Sequence, residues 1–266
     1  MVIYGAGTAG LGIADMMRDV MVREGLTIAE ATSRFHAIDR DGLLDTGQAG
    51  RMHDFQARYA RPPEELADWP RDRAGRIGLA EVVSRVAPTM LIGTSAQYGA
   101  FSEQIVTAMA AGTERPIIMP LSNPTSKTEA LPADLIRWTG GRALVASGSP
   151  FPPVEHAGHR HEIAQANNAL VFPGIGLGVT VARARRISVG MISAAAHAAA
   201  SLADLAAPGA ALLPPIGNLR LVSATVGVAV AQAAAADGLA DVPVTDPIQQ
   251  VYQTMWRPDY PNFEVI

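Results

Sequence analysis

The sequence predicts an α/β fold: a doubly wound, mostly parallel sheet with helices on both faces and extra helices towards the C-terminal end. Three observations carry this. The stretch Val2-Ile3-Tyr4 feeds directly into Gly5-Ala6-Gly7-Thr8-Ala9-Gly10, and Leu11 to Val22 then carries apolar residues at helical spacing. Short apolar runs alternate with helical stretches as far as Pro150, and the runs end in Ser, Asn, Thr and Gly, the polar tips expected at the carboxyl ends of parallel strands. Of the 266 residues, 48% are hydrophobic and 17% charged, enough apolar side chain for a sizeable core and too little charge for a disordered chain.

The opening stretch has the G-x-G-x-x-G spacing that seats a dinucleotide in a Rossmann-type fold. In that geometry Gly5 makes the tight turn, Gly7 lets a diphosphate approach the backbone, and Gly10 lets the helix pack close to the strand. The free N–H groups of Thr8, Ala9 and Gly10 lie at the positive end of the helix and face the phosphates. Three residues are short for a first strand, so the chain is expected to begin inside or at the edge of its sheet.

Gly25 stops the first helix, and Thr27-Ile28-Ala29-Glu30 has the spacing of a capping box, which predicts a short helix over Ile28 to Ser33. Phe35 to Ile38 reads as the second strand, ending at Asp39. An acidic residue there is placed to bind the adenine ribose hydroxyls, which favours NAD; Arg40 next to it could instead meet a 2′-phosphate and admit NADP. The competing reading of Asp39 is a turn residue before Asp41-Gly42. Leu43 to Gly75 reads as helix fragments and surface loop.

Further on, helices are expected at Leu79 to Val86, Phe101 to Ala111 and Thr128 to Trp138. Strands are expected at Thr89 to Gly93, Pro116 to Met119 and Ala143 to Ala146. Ser95 lies at the tip of the first of these strands and joins the candidate cofactor residues, and Asn123 follows the second. Beyond Asn167-Asn168, two helices are expected, from Val179 to about Ala200 and from Leu219 to about Ala236, then a closing segment from Pro247 to Pro258. These helices are expected to flank the sheet or pack on a neighbouring domain. One domain over residues 1–266 is the expected organisation.

Composition removes several function classes. The net charge is −4 with no basic run, which speaks against nucleic acid as a partner. The absence of cysteine excludes disulfides, cysteine-ligated zinc and a thiol nucleophile. Ala169 to Ala200, the most apolar stretch, contains Arg183, Arg185 and Arg186 and is interrupted by Pro173 and glycines, so it reads as buried loop and helix rather than a membrane span. No signal peptide is visible, and a cytoplasmic location is expected. There is no G-x-S-x-G elbow, P-loop, H-E-x-x-H or EF-hand loop.

Two polar constellations remain. Asn123 and the pair Asn167-Asn168 offer amides that suit a nicotinamide carboxamide, a ribose or a substrate carboxylate, although asparagines at strand ends also cap turns. His156, His159 and His161 form an H-x-x-H-x-H cluster between Pro and Gly residues. Metal binding is the sharp reading, and solvated loop histidines without a paired carboxylate the plainer one.

Five blocks in order carry a resemblance over nearly the whole chain: Gly5 to Ala14, Asp39-Arg40-Asp41-Gly42-Leu43-Leu44, Leu121-Ser122-Asn123-Pro124-Thr125, Ala146-Ser147-Gly148-Ser149-Pro150-Phe151, and Gln165-Ala166-Asn167-Asn168 with Phe172-Pro173-Gly174. On these the chain resembles the NAD(P)-binding domain of malic enzymes, which oxidise and decarboxylate malate. The resemblance implies that the Gly5–Gly10 turn holds the diphosphate and Asp39 the adenosine ribose. It implies that Asn123 and Asn167 contact malate or the nicotinamide end, with Asn168 beside them in the cofactor set.

The family's N-terminal domain supplies a tyrosine acid, a lysine base and acidic ligands for Mg²⁺ or Mn²⁺, and nothing in this sequence matches those motifs. Lys127, the sole lysine, lies in the Ser122-Asn123-Pro124 block and is not assigned the base role. No catalytic residue and no metal ligand is identified in this chain; Mg²⁺ or Mn²⁺ is expected only together with that absent domain. The chain is accordingly expected to bind NAD(P) and, by itself, to be inactive on malate. Malate or pyruvate, the missing catalytic domain and further copies of the chain in a homo-oligomer are the expected partners. Two other readings compete: a non-catalytic dinucleotide-binding regulatory module, and the cofactor domain of an amino-acid-type NAD(P) dehydrogenase.

Overall fold

A computed structural model describes residues 1–207 and 209–257. Their contacts separate into two compact units: residues 1–167 with the described residues of 203–213, and residues 168–202 with the described residues from 214 onwards.

The first unit is built in chain order from β1 (Val2–Tyr4), α1 (Thr8–Arg23), α2 (Ile28–Ser33), β2 (His36–Asp39), β3 (Gly42–Leu43), α3 (Asp54–Ala57), α4 (Leu79–Val86), β4 (Met90–Gly93), α5 (Glu103–Gly112), β5 (Ile117–Pro120), α6 (Pro132–Trp138), β6 (Leu144–Ser147), β7 (Val154–His156), β8 (His159–His161) and β9 (Ala164–Gln165). Among the described residues, seven strands form one sheet in the order β3-β2-β1-β4-β5-β6-β9. Every pairing is parallel except β2 with β3. The strand order reverses at β1, whose Ile3 lies beside Ala37 of β2 on one flank and Ile92 of β4 on the other. Ligands of open parallel sheets sit beyond the carboxyl ends of the strands at such a reversal.

The strands alternate their side chains between two apolar layers, as period-2 geometry requires. Val2, Ile38, Leu91, Ile118 and Val145 pack with Val82 and Val83 of α4, Val106 and Met109 of α5, and Leu135 and Ile136 of α6. Ile3, Ala37 and Ile92 point the other way and pack with Leu11 and Ala14 of α1, Phe35 and Tyr59. Both faces of the sheet are therefore covered, which is the doubly wound arrangement the sequence predicts.

Local chemistry sets the element ends. Thr27 and Glu30 form the expected capping box: the Glu30 amide donates to Thr27 Oγ1 at 3.2 Å, and Thr27 N–H donates to Glu30 Oε2 at 2.9 Å. The helix expected from Thr128 begins only at Pro132, because Pro is pre-set for a first helical turn. Thr128 and Glu129 instead present their carbonyls to Gly99 N and Phe101 N, at 3.1 and 2.9 Å. Inside the expected surface loop, Gly42-Leu43 adds the antiparallel edge strand β3. The expected histidine loop is a hairpin. His156 pairs with His159 across a turn whose central residues, Ala157 and Gly158, have φ of 51° and 78°. Two successive positive φ values are what a tight two-residue hairpin demands.

The second unit holds α7 (Phe172–Ala182), α8 (Val189–Ala200), α9 (Leu219–Ala236) and α10 (Pro247–Thr254). The single helix expected from Val179 to Ala200 is two helices, separated after Arg183, which takes a left-handed conformation (φ 46°). Pro173 does not break a helix there; it opens α7 at the position where its missing N–H costs nothing. A Cβ added at Gly174 or Gly178 of α7 would meet the Cβ of Val226 or Val230 of α9 at 2.5 and 2.6 Å, so these small residues let the two helices touch. α9 and the turn before it, Ile216–Ala236, are long and apolar enough by composition to cross a membrane. Within this unit α9 buries Val222, Val226 and Val230 completely, each worth about 1.5–3 kcal/mol by removal from water. The closing segment expected from Pro247 contains α10; its last residue, Pro258, lies outside the described residues.

Candidate functional site: a dinucleotide cradle

The turn from β1 into α1 is shaped by its first and last glycines. Gly5 has φ +106°, and a Cβ there would lie 2.5 Å from the Thr94 carbonyl carbon; at Gly10 it would lie 2.3 Å from Gly5 O. Thr94 Oγ1 donates to Gly5 O at 2.7 Å, tying this turn to the end of β4. Gly7 is different. A Cβ there would meet nothing within 4 Å, so the space over the middle of the turn is open. Gly7 is also the N-cap of the 16-residue α1, and no side chain caps that end. The first N–H groups of α1, those of Thr8, Ala9 and Gly10, are left for a ligand, at the end where the helix dipole favours an anion. Thr8 and Ala9 are exposed there.

Two adjoining clefts share Asp39 and Arg40. One, of about 210 Å³, is lined also by Tyr4, Gly5, Gly7, Thr94, Ser95 and Gln97. The other, of about 360 Å³, is lined also by Gln48, Arg51, Met52, His53 and Gln56. Asp39 is fixed on both oxygens: Arg40 N donates to Oδ1 at 2.9 Å and Gln56 Nε2 to Oδ2 at 2.8 Å. The same Gln56 nitrogen donates to Ala6 O at 2.9 Å, and Gln56 Oε1 accepts from His53 N at 2.9 Å. Gln56, almost fully buried, therefore links the glycine turn to the carboxylate at the end of β2.

The structure thus gathers Gly5, Gly7, Asp39, Arg40 and Ser95 around one cleft, with Thr8, Ala9 and Gly10 opening the helix beside it. Asn123 lies beyond β5, preceding a cis peptide to Pro124, and its Oδ1 accepts from Ser149 Oγ beyond β6 at 2.6 Å. Asn167 is the last residue of its stretch of the first unit, and Asn168 begins a single 3-10 turn in the second. Sequence reasoning missed Gln56, which lay in a stretch read as surface loop and carries no motif. It also missed Gln97, whose Oε1 accepts from Tyr4 OH at 2.8 Å, and Glu129, which follows the polar stretch Ser126-Lys127-Thr128 and reads there as an ordinary exposed acid.

Tyr4 and His161 titrate away from their usual ranges. Burial raises the Tyr4 hydroxyl, with the Glu129 charge adding. His161 is buried in the hairpin, its basicity lowered by burial and then by His156 and His159. No group of three or more His, Asp or Glu side chains among the described residues is gathered closely enough to hold a metal ion, the three histidines included. The cradle residues fit a dinucleotide: open space over Gly7, an uncapped helix end and a carboxylate at the end of β2. The described residues do not fit a divalent cation.

Residues 1–235 match the family described as "Malic enzyme, NAD binding domain". The chain belongs to that family. It is 51% identical to NAD-dependent malic enzyme 3 of Bacillus subtilis, aligned over 100% of this chain and 47% of that protein. It is 48% identical to a putative malate oxidoreductase [NAD] of Mycobacterium tuberculosis, over 98% of this chain and 47% of the relative. The chain thus spans about half the length of the curated relatives it matches. The fold is shared with the crystal structure of Entamoeba histolytica malic enzyme, with a TM-score of 0.68 and 24% identity, covering 95% of this chain and 46% of that one. The malic enzyme of Pyrococcus horikoshii gives a TM-score of 0.67 and 23% identity, with 95% and 51% covered.

Proposed function

We propose that this malic enzyme NAD-binding domain holds NAD across the carboxyl ends of β1, β2, β4 and β5, as the cofactor half of an enzyme that oxidises and decarboxylates malate. The observation that carries the reading is the cradle itself: an uncapped helix end and open Gly7 for the diphosphate, with Asp39 fixed on both oxygens beside it. When bound, NAD supplies the hydride acceptor. The N–H groups of Thr8, Ala9 and Gly10 bind the diphosphate, and Asp39 takes the adenosine ribose hydroxyls. A carboxylate at that position repels a 2′-phosphate, which favours NAD over NADP. Asn123, steadied by Ser149, and Asn167 orient the substrate or the nicotinamide end.

Malate oxidation also needs a group to take the hydroxyl proton and a cation to stabilise the charge left by loss of CO₂. Among the described residues no cluster of three or more ligands is gathered for a cation, and the groups beside the cradle that could take a proton, Asp39 and His53, lie on the adenosine side. We assign those roles to a further domain, in keeping with relatives about twice as long; the two compact units together form the cofactor domain, in copies that associate. The test is calorimetric titration of the chain with NAD, with and without malate and Mn²⁺, while NADH formation is followed. The expected result is saturable NAD binding, unchanged by malate and Mn²⁺, and no NADH. Metal-dependent turnover by this chain alone would refute the division of labour, and failure to bind NAD would refute the cofactor role.

A further inference from the structure

Glu129 has no exposed surface, and no arginine or lysine pairs with it among the described residues. Its carboxylate is held instead by four donors. Oε1 accepts from Ser95 N at 2.8 Å, Ser95 Oγ at 2.9 Å and Ser122 Oγ at 2.5 Å, and Oε2 accepts from Ser122 N at 3.3 Å. The pattern extends one bond further: Ala96 N donates to Ser122 Oγ at 2.8 Å and Gln97 N to Ser95 Oγ at 3.2 Å. The loop leaving β4 and the loop leaving β5 are thus tied to one acid. Room for it is reserved at the end of β4, where a Cβ on Gly93 would lie 2.6 Å from Glu129 Cδ.

A buried carboxylate without a cation is costly to desolvate, and an apolar contact could join two loops at less cost. What the carboxyl group offers here is a pair of oxygens that accept from four donors, which fixes both loops in one arrangement. Those loops lie on one flank of β1, and Asp39 lies on the other. A dinucleotide seated by its diphosphate at β1, with its adenosine ribose at Asp39, extends its other half over β4 and β5.

We propose that Glu129 is a positioning residue for the nicotinamide half of the cofactor, acting through Ser95 and Ser122. This rests on the NAD reading above. The Ser95–Gln97 segment and the Ser122-Asn123 pair are held ready for the nicotinamide riboside, and no ordering of either loop is required on binding.

The test separates the two halves of the ligand. Glu129→Gln keeps the size and volume but turns an N–H donor towards a donor already in place, either Ser95 or Ser122. In the full chain, calorimetry with NAD and with ADP, which lacks the whole nicotinamide riboside, is expected to show about tenfold weaker NAD binding and ADP affinity within about twofold of wild type. Ser122→Ala removes only the hydroxyl between Glu129 and Ala96, and is expected to weaken NAD about threefold with ADP unchanged; it decides the matter if Glu129→Gln does not fold. Equal losses for both ligands would make Glu129 a general support of the fold and overturn the role, as would unchanged NAD binding. If wild type binds neither ligand, the NAD reading itself fails and this role falls with it.

Discussion

The two units of this chain are made from different side chains for different purposes. The first has a core of large residues, among them Phe35, Tyr59, Phe101, Ile3 and Leu91, packed on both faces of a sheet whose strands end in polar loops. The second buries Val and Ala almost throughout, with Met191 and Leu239 its largest core members, and its helices meet across glycines. A sheet separates its two jobs along each strand: the middle packs, and the carboxyl end is free for chemistry. A helix cluster that meets through small residues presents no row of strand ends. The clefts that suit a polar ligand, those around Asp39, belong to the first unit.

This contrast can be broken from either side. The largest effect on stability is expected in the second unit. Gly178→Val puts new atoms where Val230 already sits 2.6 Å from a notional Cβ, and should cost about 3 kcal/mol, read as a lowered midpoint in urea. An unchanged midpoint would mean that α7 and α9 do not pack as described.

The largest effect on ligand binding is expected in the first unit. Asp39→Ala removes the acceptor for two ribose hydroxyls and should weaken NAD by between about tenfold and a hundredfold in calorimetry, with little movement of Tm. Equal NAD affinity for the variant would remove Asp39 from the site. A smaller loss, about fivefold, is expected for Gln56→Leu, since Asp39 and the Ala6 carbonyl both lose a donor while the carboxylate itself remains. If that variant loses stability but keeps its NAD affinity, Gln56 serves the fold and not the site.

The smallest effect sharpens the picture of the first core. His36 stacks on Trp69 with ring centres 6.3 Å apart, and burial, aided by Arg61, pushes its imidazole down to about 4. Its folded value lies below the unfolded one, so the unfolded chain binds the extra proton between about pH 4 and 6.5. The stability it contributes is present above pH 6.5 and lost as pH falls through that window. Comparing wild type with His36→Phe by urea unfolding should show a difference in pH dependence on the order of 1 kcal/mol, confined to that window. Parallel curves would contradict it.

The legibility of the sequence follows the same division. Strands of the first unit could be read because glycine, proline and polar tips punctuate short β-favouring runs; the Thr27–Glu30 box even marked its helix to the residue. That Gly5, Gly7, Asp39, Arg40 and Ser95 gather around one cleft was legible because each occupies a fixed place relative to a strand end. Gln56 and Glu129 were not, since their roles come from long-range hydrogen bonds that leave no periodic trace. In α7, α8 and α9 of the second unit, a composition of Ala, Val and Gly erases most of the polar side of each helix. The break after Arg183 has neither proline nor glycine, and Pro173, read as an interruption, is a helix start. The histidine hairpin was missed because Ala157 takes a positive φ that nothing in its chemistry advertises.

The most direct test of the central claim is to map NAD binding by amide chemical shifts on the whole chain. The account predicts that added NAD moves the signals of Gly7 to Gly10, Asp39, Arg40, Ser95 and Asn123, while those of α8, α9 and α10 stay in place. Shifts concentrated in those helices, with the β1 turn silent, would contradict it.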